Sequence, residues 1–145
     1  MRKLCSFSAL GIVVLSGVLL AQGSQMPRTT SPAGAKVYIV SPKNGDTVTN
    51  PVTVVFGLKG MGVAPAGVAT ANTGHHHLLI DVAQLPNMNM PLPQTDNVRH
   101  FGGGQTEVDV TLSPGRHTLQ LVLGDALHTP HDKPVVSEKI TITAK

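Results

Sequence analysis

From Lys36 to the C-terminus, apolar residues recur at every second position or gather in short β-branched runs bounded by Gly, Pro and Asn, and nothing repeats at helical spacing. That pattern predicts an all-β chain, with strands near residues 37–41, 52–58, 76–82, 106–112, 116–124 and 135–143 and a short extra one near Asn97. In the run ending at Gly124, His117, Leu119, Leu121 and Leu123 share one face, and Thr118, Gln120 and Val122 share the other. The leucine face belongs to a core. Turn chemistry supports the divisions: Ser41-Pro42-Lys43-Asn44-Gly45-Asp46 and Ser113-Pro114-Gly115 supply proline's fixed φ and glycine's tolerance of positive φ where the chain must reverse. An immunoglobulin-like antiparallel β-sandwich of about seven strands is the simplest way to bury these alternating faces.

Ahead of this region stand Met1-Arg2-Lys3, an apolar run from Leu4 to Ala21, and then small and polar residues, which is the layout of a secretory signal peptide. Residues 1–23 are expected to be removed, residues 24–35, rich in Pro, Ser and Thr, to form a flexible linker, and residues 36–145 to form one domain. The expected location is the periplasm or the exterior. The whole chain carries 11 basic and 8 acidic side chains, but the leader takes Arg2 and Lys3 with it and no acid, so the basic excess nearly vanishes. No charge footprint remains for nucleic acid or, once the leader is gone, for a membrane surface. The single cysteine, Cys5, also lies in the leader. An exported chain without disulfides must be held by its core, and about 120 residues suffice for one ordinary domain.

Candidate chemistry comes from histidine. Six of the seven fall in three clusters: Gly74-His75-His76-His77, Arg99-His100-Phe101-Gly102-Gly103-Gly104, and Leu127-His128-Thr129-Pro130-His131. Neutral imidazole is the commonest protein metal ligand and suits Cu(II), Zn(II) and Ni(II). With the strands lettered A to G, these clusters fall in or beside the B–C, D–E and F–G connections, which lie at one end of an immunoglobulin-like sandwich. His75, His77, His100, His128 and His131 are therefore the expected ligands of a copper or zinc ion, with His76 and Asp125 as further candidates. The strand period of two sets His75 and His77 with Leu79, and His76 with Leu78 and Ile80 on the other side. The first parity is favoured for the site. Asp125 can ligate directly or accept the second N–H of a ligating ring, and Asp81 is a weaker candidate. His117, in line with the leucine face, is assigned instead to packing, satisfied by a backbone carbonyl.

Catalytic alternatives lack their parts. A histidine-brace copper monooxygenase needs an N-terminal histidine, which cleavage here does not produce, and a copper superoxide dismutase normally needs a disulfide. No serine stands in a nucleophile elbow, and no carboxylate pair is recognisable. The glycine run after His100 lacks the Lys-Ser/Thr pair and helix of a phosphate loop. Met61, Met88 and Met90 would suit Cu(I), but Met88 and Met90 are expected at the opposite end of the sandwich.

Four blocks, Gly74-His75-His76-His77-Leu78-Leu79-Ile80-Asp81, His100-Phe101-Gly102-Gly103-Gly104-Gln105-Thr106-Glu107, Pro114-Gly115-Arg116-His117-Thr118-Leu119-Gln120-Leu121 and Ser137-Glu138-Lys139-Ile140-Thr141, resemble the signature of a family of short exported bacterial domains of unknown function. The resemblance implies export, one sandwich domain and importance of the histidine blocks, but no activity. A weaker likeness of architecture is to CopC-type periplasmic copper carriers, which are also small sandwiches with loop histidines and a Leu-x-Pro-Gly hairpin like Leu112-Ser113-Pro114-Gly115. The expected function is non-catalytic carriage, buffering or delivery of a transition metal ion, copper foremost. The rival is a cell-envelope interaction module in which the histidines and glycines form a loop platform for a protein partner.

Overall fold

The computed structural model describes residues 28–145; the expected leader and the first linker residues lie outside them. Among the described residues there are nine strands: β1 (Lys36–Ser41), β2 (Thr47–Val48), β3 (Val52–Lys59), β4 (Gly62–Val63), β5 (Thr73–Ile80), β6 (Val98–His100), β7 (Glu107–Val110), β8 (Gly115–Gly124) and β9 (Ile140–Ala144). They form two sheets, β1-β3-β7 and β2-β9-β8-β5-β4, with β6 paired to β5 beside β4. The chain is an all-β sandwich, and no described helix is long and apolar enough to cross a membrane.

Valines 37, 52 and 54 and Phe56 of the first sheet meet Leu78, Ile80, Leu119, Leu121, Leu123 and Ile142 of the second in one core. The leucine face of β8 thus points inward, and each such side chain contributes about 1.5–3 kcal/mol by leaving water. A second apolar cluster of Leu79, Leu92, Val98 and Val122 lies on the opposite, outer face of β5 and β8, beneath the β5–β6 connection. Burial on both faces makes β5 the central strand of the molecule: from Gly74 to Ile80 every residue is buried.

Several boundaries differ from those read in the sequence. β2 and β4 are two residues long, too short to display a period, and pair parallel to β9 and β5. β9 begins at Ile140 rather than near Val135, because Ser137 interrupts the ladder: its Oγ accepts the Leu121 N–H at 2.8 Å while Val136 makes an isolated bridge to Val122. The segment carrying His100, expected in the D–E connection, ends an added strand on β5, with His77 directly opposite His100.

From Arg28 onward, the segment expected to be a flexible linker makes hydrogen bonds to the rest of the domain. Arg28 donates to the carbonyls of Pro130 and His131 and to Asn89 Oδ1, Thr29 Oγ1 donates to Asp125 Oδ2 at 3.1 Å, and Ser31 Oγ donates to the Lys133 carbonyl at 2.7 Å. Polar composition marked this stretch as unable to make a core. It is ordered by hydrogen bonds to the β8–β9 connection instead.

A four-histidine candidate metal centre

β5 presents His75 and His77 on its outer face, in line with Leu79, while His76 turns inward with Leu78 and Ile80. Across the ladder, His77 stands opposite Val122 and His75 opposite Gly124 on β8; on the other edge His77 stands opposite His100 on β6. Directly opposed residues share a face, so pairing alone brings His100 onto His77. His128 arrives from the β8–β9 connection. Its backbone has φ of 64°, uncommon without glycine, and is held by its own N–H on the Asp125 carbonyl and by the Leu92 N–H on its carbonyl, both 2.9 Å.

One ring nitrogen from each of His75, His77, His100 and His128 lies within 4.8 Å of the other three. Ring centroids are 4.5 to 6.2 Å apart. His75 Nε2 is 3.1 Å from both His128 Nδ1 and His100 Nε2. Four imidazoles around an ion at about 2.0–2.1 Å would place tetrahedral neighbours about 3.3 Å apart, so the spacing fits a four-nitrogen site with small adjustments. Hydrogen bonding accounts for the arrangement less well. An imidazole nitrogen carries one proton or one in-plane lone pair, so His75 Nε2 can satisfy one of its two nitrogen neighbours and not both.

The free valences are buried. His75 and His77 are fully buried, and both nitrogens of His77, together with His75 Nδ1, have no hydrogen-bond partner. The His75 carbonyl lies near the His77 ring without meeting hydrogen-bond geometry. Burial, reinforced by the neighbouring imidazoles, lowers His77 to about 3 and His75 to about 4; burial and His128 also lower His100. All three rings are neutral at neutral pH and present lone pairs. His100 and His128 are half-buried, so the group opens to the surface on their side. The Gln94 amide nitrogen Nε2 lies 2.7 Å from His100 Nδ1 and donates to it; exchanging the amide's nitrogen and oxygen would instead let it accept Nδ1–H and leave His100 Nε2 free to ligate.

Glycines make room for the rings. A Cβ at Gly124 would sit 2.7 Å from His77 Cε1, and one at Gly102 would sit 2.6 Å from His100 Nε2. Glycine at the end of a leucine-rich strand is a sequence signal of such an approach, as is the glycine run after His100. Gln94 carried no sequence signal at all.

Three candidates lie apart from the four. His76 packs against Phe56, with ring centroids 5.1 Å apart, and its Nδ1 donates to the Gln105 carbonyl at 3.3 Å. The strand period excludes it from the face of its neighbours. His131 is buried beneath the N-terminal segment, with its Nδ1 3.3 Å from Thr29 Oγ1. Asp125 turns Oδ1 to the N–H groups of Leu127 and Thr129, at 2.9 and 3.0 Å, organising the loop that presents His128. The shared locus is therefore the outer face of β5, beside the last residues of β6 and β8.

His117 is pinned elsewhere, its Nδ1 donating to Asp81 Oδ2 at 2.7 Å and its Nε2 to the Ser113 carbonyl at 2.8 Å. The expected carbonyl partner is present. Asp81 is committed to this pair and to the Thr118 N–H, which removes it from the ligand candidates. Met61 packs against the main core and Met88 against the outer apolar cluster.

No curated protein and no solved structure matches the chain, so the likeness to CopC-type carriers gains no support. Residues 54–145 match the family described as a domain of unknown function, DUF4399, and this stretch contains the four signature blocks and all four converging histidines. The chain therefore belongs to the DUF4399 family.

Proposed function

We propose that this domain is exported and binds one late first-row transition metal ion, copper foremost, through His75, His77, His100 and His128, for carriage, buffering or delivery in the cell envelope. The observation that carries the reading is His77: a fully buried imidazole with neither nitrogen hydrogen-bonded, among three others within 4.8 Å. Leaving such groups unpaired costs about 1–3 kcal/mol each, and a bound ion offsets that cost. An all-imidazole donor set favours Cu(II), which stands at the top of the divalent affinity order, with Zn(II) next to it. His75 and His77 supply a chelating pair from one rigid strand, and the half-buried His100 and His128 leave a side through which an ion can pass.

The envelope-module alternative draws on the 3.1 Å contacts of His75 with His100 and His128, read as a hydrogen-bonded platform. It leaves His77 without a role. Competition titration of the tag-free, leader-free chain with Cu(II), Cu(I) and Zn(II) separates the two. Tight one-to-one binding, abolished by His77→Ala with His128→Ala and retained by His131→Ala, is expected. Affinity no better than that of isolated surface histidines, and indifferent to the double substitution, would overturn the metal reading.

A further inference from the structure

The N-terminal segment from Arg28 to Ser31 touches both connections that present the half-buried ligands. Arg28 spans them: its Nε and one terminal nitrogen donate to the carbonyls of Pro130 and His131 in the β8–β9 connection, while the other terminal nitrogen donates to Asn89 Oδ1, at 2.6 Å, in the β5–β6 connection. The β8–β9 connection carries His128. The β5–β6 connection supplies the Leu92 N–H that holds the His128 carbonyl and the Gln94 amide beside His100. Thr29 reaches further inward, donating to Asp125 Oδ2 at 3.1 Å, and its carbonyl accepts the Asp132 N–H at 2.9 Å. Asp125 uses its other oxygen to fix the backbone on both sides of His128. Ser31, buried, closes the segment on Asp132 and Lys133.

A left-handed backbone at a non-glycine residue such as His128 is strained and persists only where its surroundings over-determine it. His75 and His77 need no such support, because the central strand holds them on both edges.

We infer that Arg28 and Thr29 form a strap whose hydrogen bonds to Asp125 and to the two connections position His128 and His100, converting a two-histidine chelate on β5 into a four-nitrogen site. Arg28, Thr29 and Asp125 are positioning residues and touch no ion themselves. The strap lies outside the stretch matched by the family, residues 54–145, so the matched stretch carries all four ligands without the device that aligns two of them. The inference rests on the metal reading above and specifies how the affinity of that site is set.

Cu(II) titration under competition, with electron paramagnetic resonance of the one-to-one complex, tests it on the tag-free chain, on Arg28→Ala/Thr29→Val and on Thr29→Ser. The expected result is a loss of tenfold or more in affinity for the double variant and a signal reporting fewer bound nitrogens, with Thr29→Ser, which keeps the hydroxyl, close to the parent. A merely structural strap would lower the thermal midpoint of the metal-free protein and leave the nitrogen count unchanged. Parent and double variant agreeing within twofold in affinity and identical in spectrum would overturn the strap alone. Failure of the parent to bind Cu(II) or Zn(II) would overturn the metal reading and the strap together. If the double variant does not fold, Thr29→Val against Thr29→Ser gives the same comparison.

Discussion

His77 fills a place that a stable apolar core would give to leucine. Buried, neutral and without a hydrogen bond, its imidazole destabilises the metal-free fold, as functional groups in strained sites commonly do. Replacing it with a side chain of similar volume and no polar atom removes that cost. His77→Leu is therefore expected to stabilise the metal-free chain by about 1–3 kcal/mol in denaturant unfolding while abolishing metal binding. A loss of stability instead would mean that the ring nitrogens are satisfied in solution. Gly124 is the complementary case, since an added methyl would press on His77 Cε1 and on the His128 carbonyl carbon, at 2.7 and 3.3 Å. Gly124→Ala should weaken metal binding by about 10–100-fold, the range typical for groups that orient ligands, with the strand itself retained. Unchanged affinity would show that the ring has room to move. At this scale the sequence was informative about residue type and parity, because a strand's alternation puts His75 and His77 on one side whatever the fold. It could not separate His131 from His128: both are loop histidines three residues apart, and their fates depend on which backbone groups the Asp125 carboxylate and Thr29 capture.

Among the elements, β5 links the histidine cluster to the Asp81–His117 pair. It carries His75 and His77, and just beyond its last residue Asp81 receives His117 from the start of β8. The pin is pH-dependent. The Asp81 carboxylate raises His117 above its ordinary value of 6.5, burial opposes it, and the Ser113 carbonyl adds to the rise. The folded chain thus holds this proton more tightly than the unfolded chain. The pin's contribution is complete below the ordinary histidine value and is lost as pH rises through the folded one. The unfolding free-energy difference between the parent and His117→Gln should be larger at about pH 5.5 than at about pH 8.5. Equal differences at the two pH values would place the proton's worth at zero. Strands with four or more residues in alternation were legible in the sequence, and the β7–β8 turn followed from Ser113-Pro114-Gly115. β6 was foreseen as a short extra strand, but its partner was not. A three-residue strand has too little pattern to choose a sheet, and the pairing of His100 with His77 decided it.

For the whole molecule, the four histidines come from β5, β6 and the β8–β9 connection, so an ion would fasten together parts of the chain distant in sequence. A ligand that binds only the folded chain stabilises it by mass action, about 2.7 kcal/mol at a free concentration one hundred times its dissociation constant. Copper or zinc at such excess should raise the denaturation midpoint by a corresponding amount. Amide exchange should slow first at residues 98–100 and 125–129 rather than along β1 and β3. A stabilisation that persists in the His77→Ala/His128→Ala variant would assign the effect to other sites. The sequence by itself determined the all-β class, the inward leucine face of β8, the membership of the histidine blocks in one region, and the absence of a cysteine beyond Cys5. These depend on local periodicity, turn chemistry and composition, each readable within a few neighbouring residues. Only the tertiary structure decided that the candidate site lies on the outer face of the central strand, that four histidines meet there while His76 and His131 do not, and that residues 28–31, read as part of a linker, hydrogen-bond to the two connections beside it. Those outcomes arise from pairings between residues 20 to 100 positions apart in the chain, where register and the competition for hydrogen-bond partners, rather than the preference of any one residue, select the neighbours.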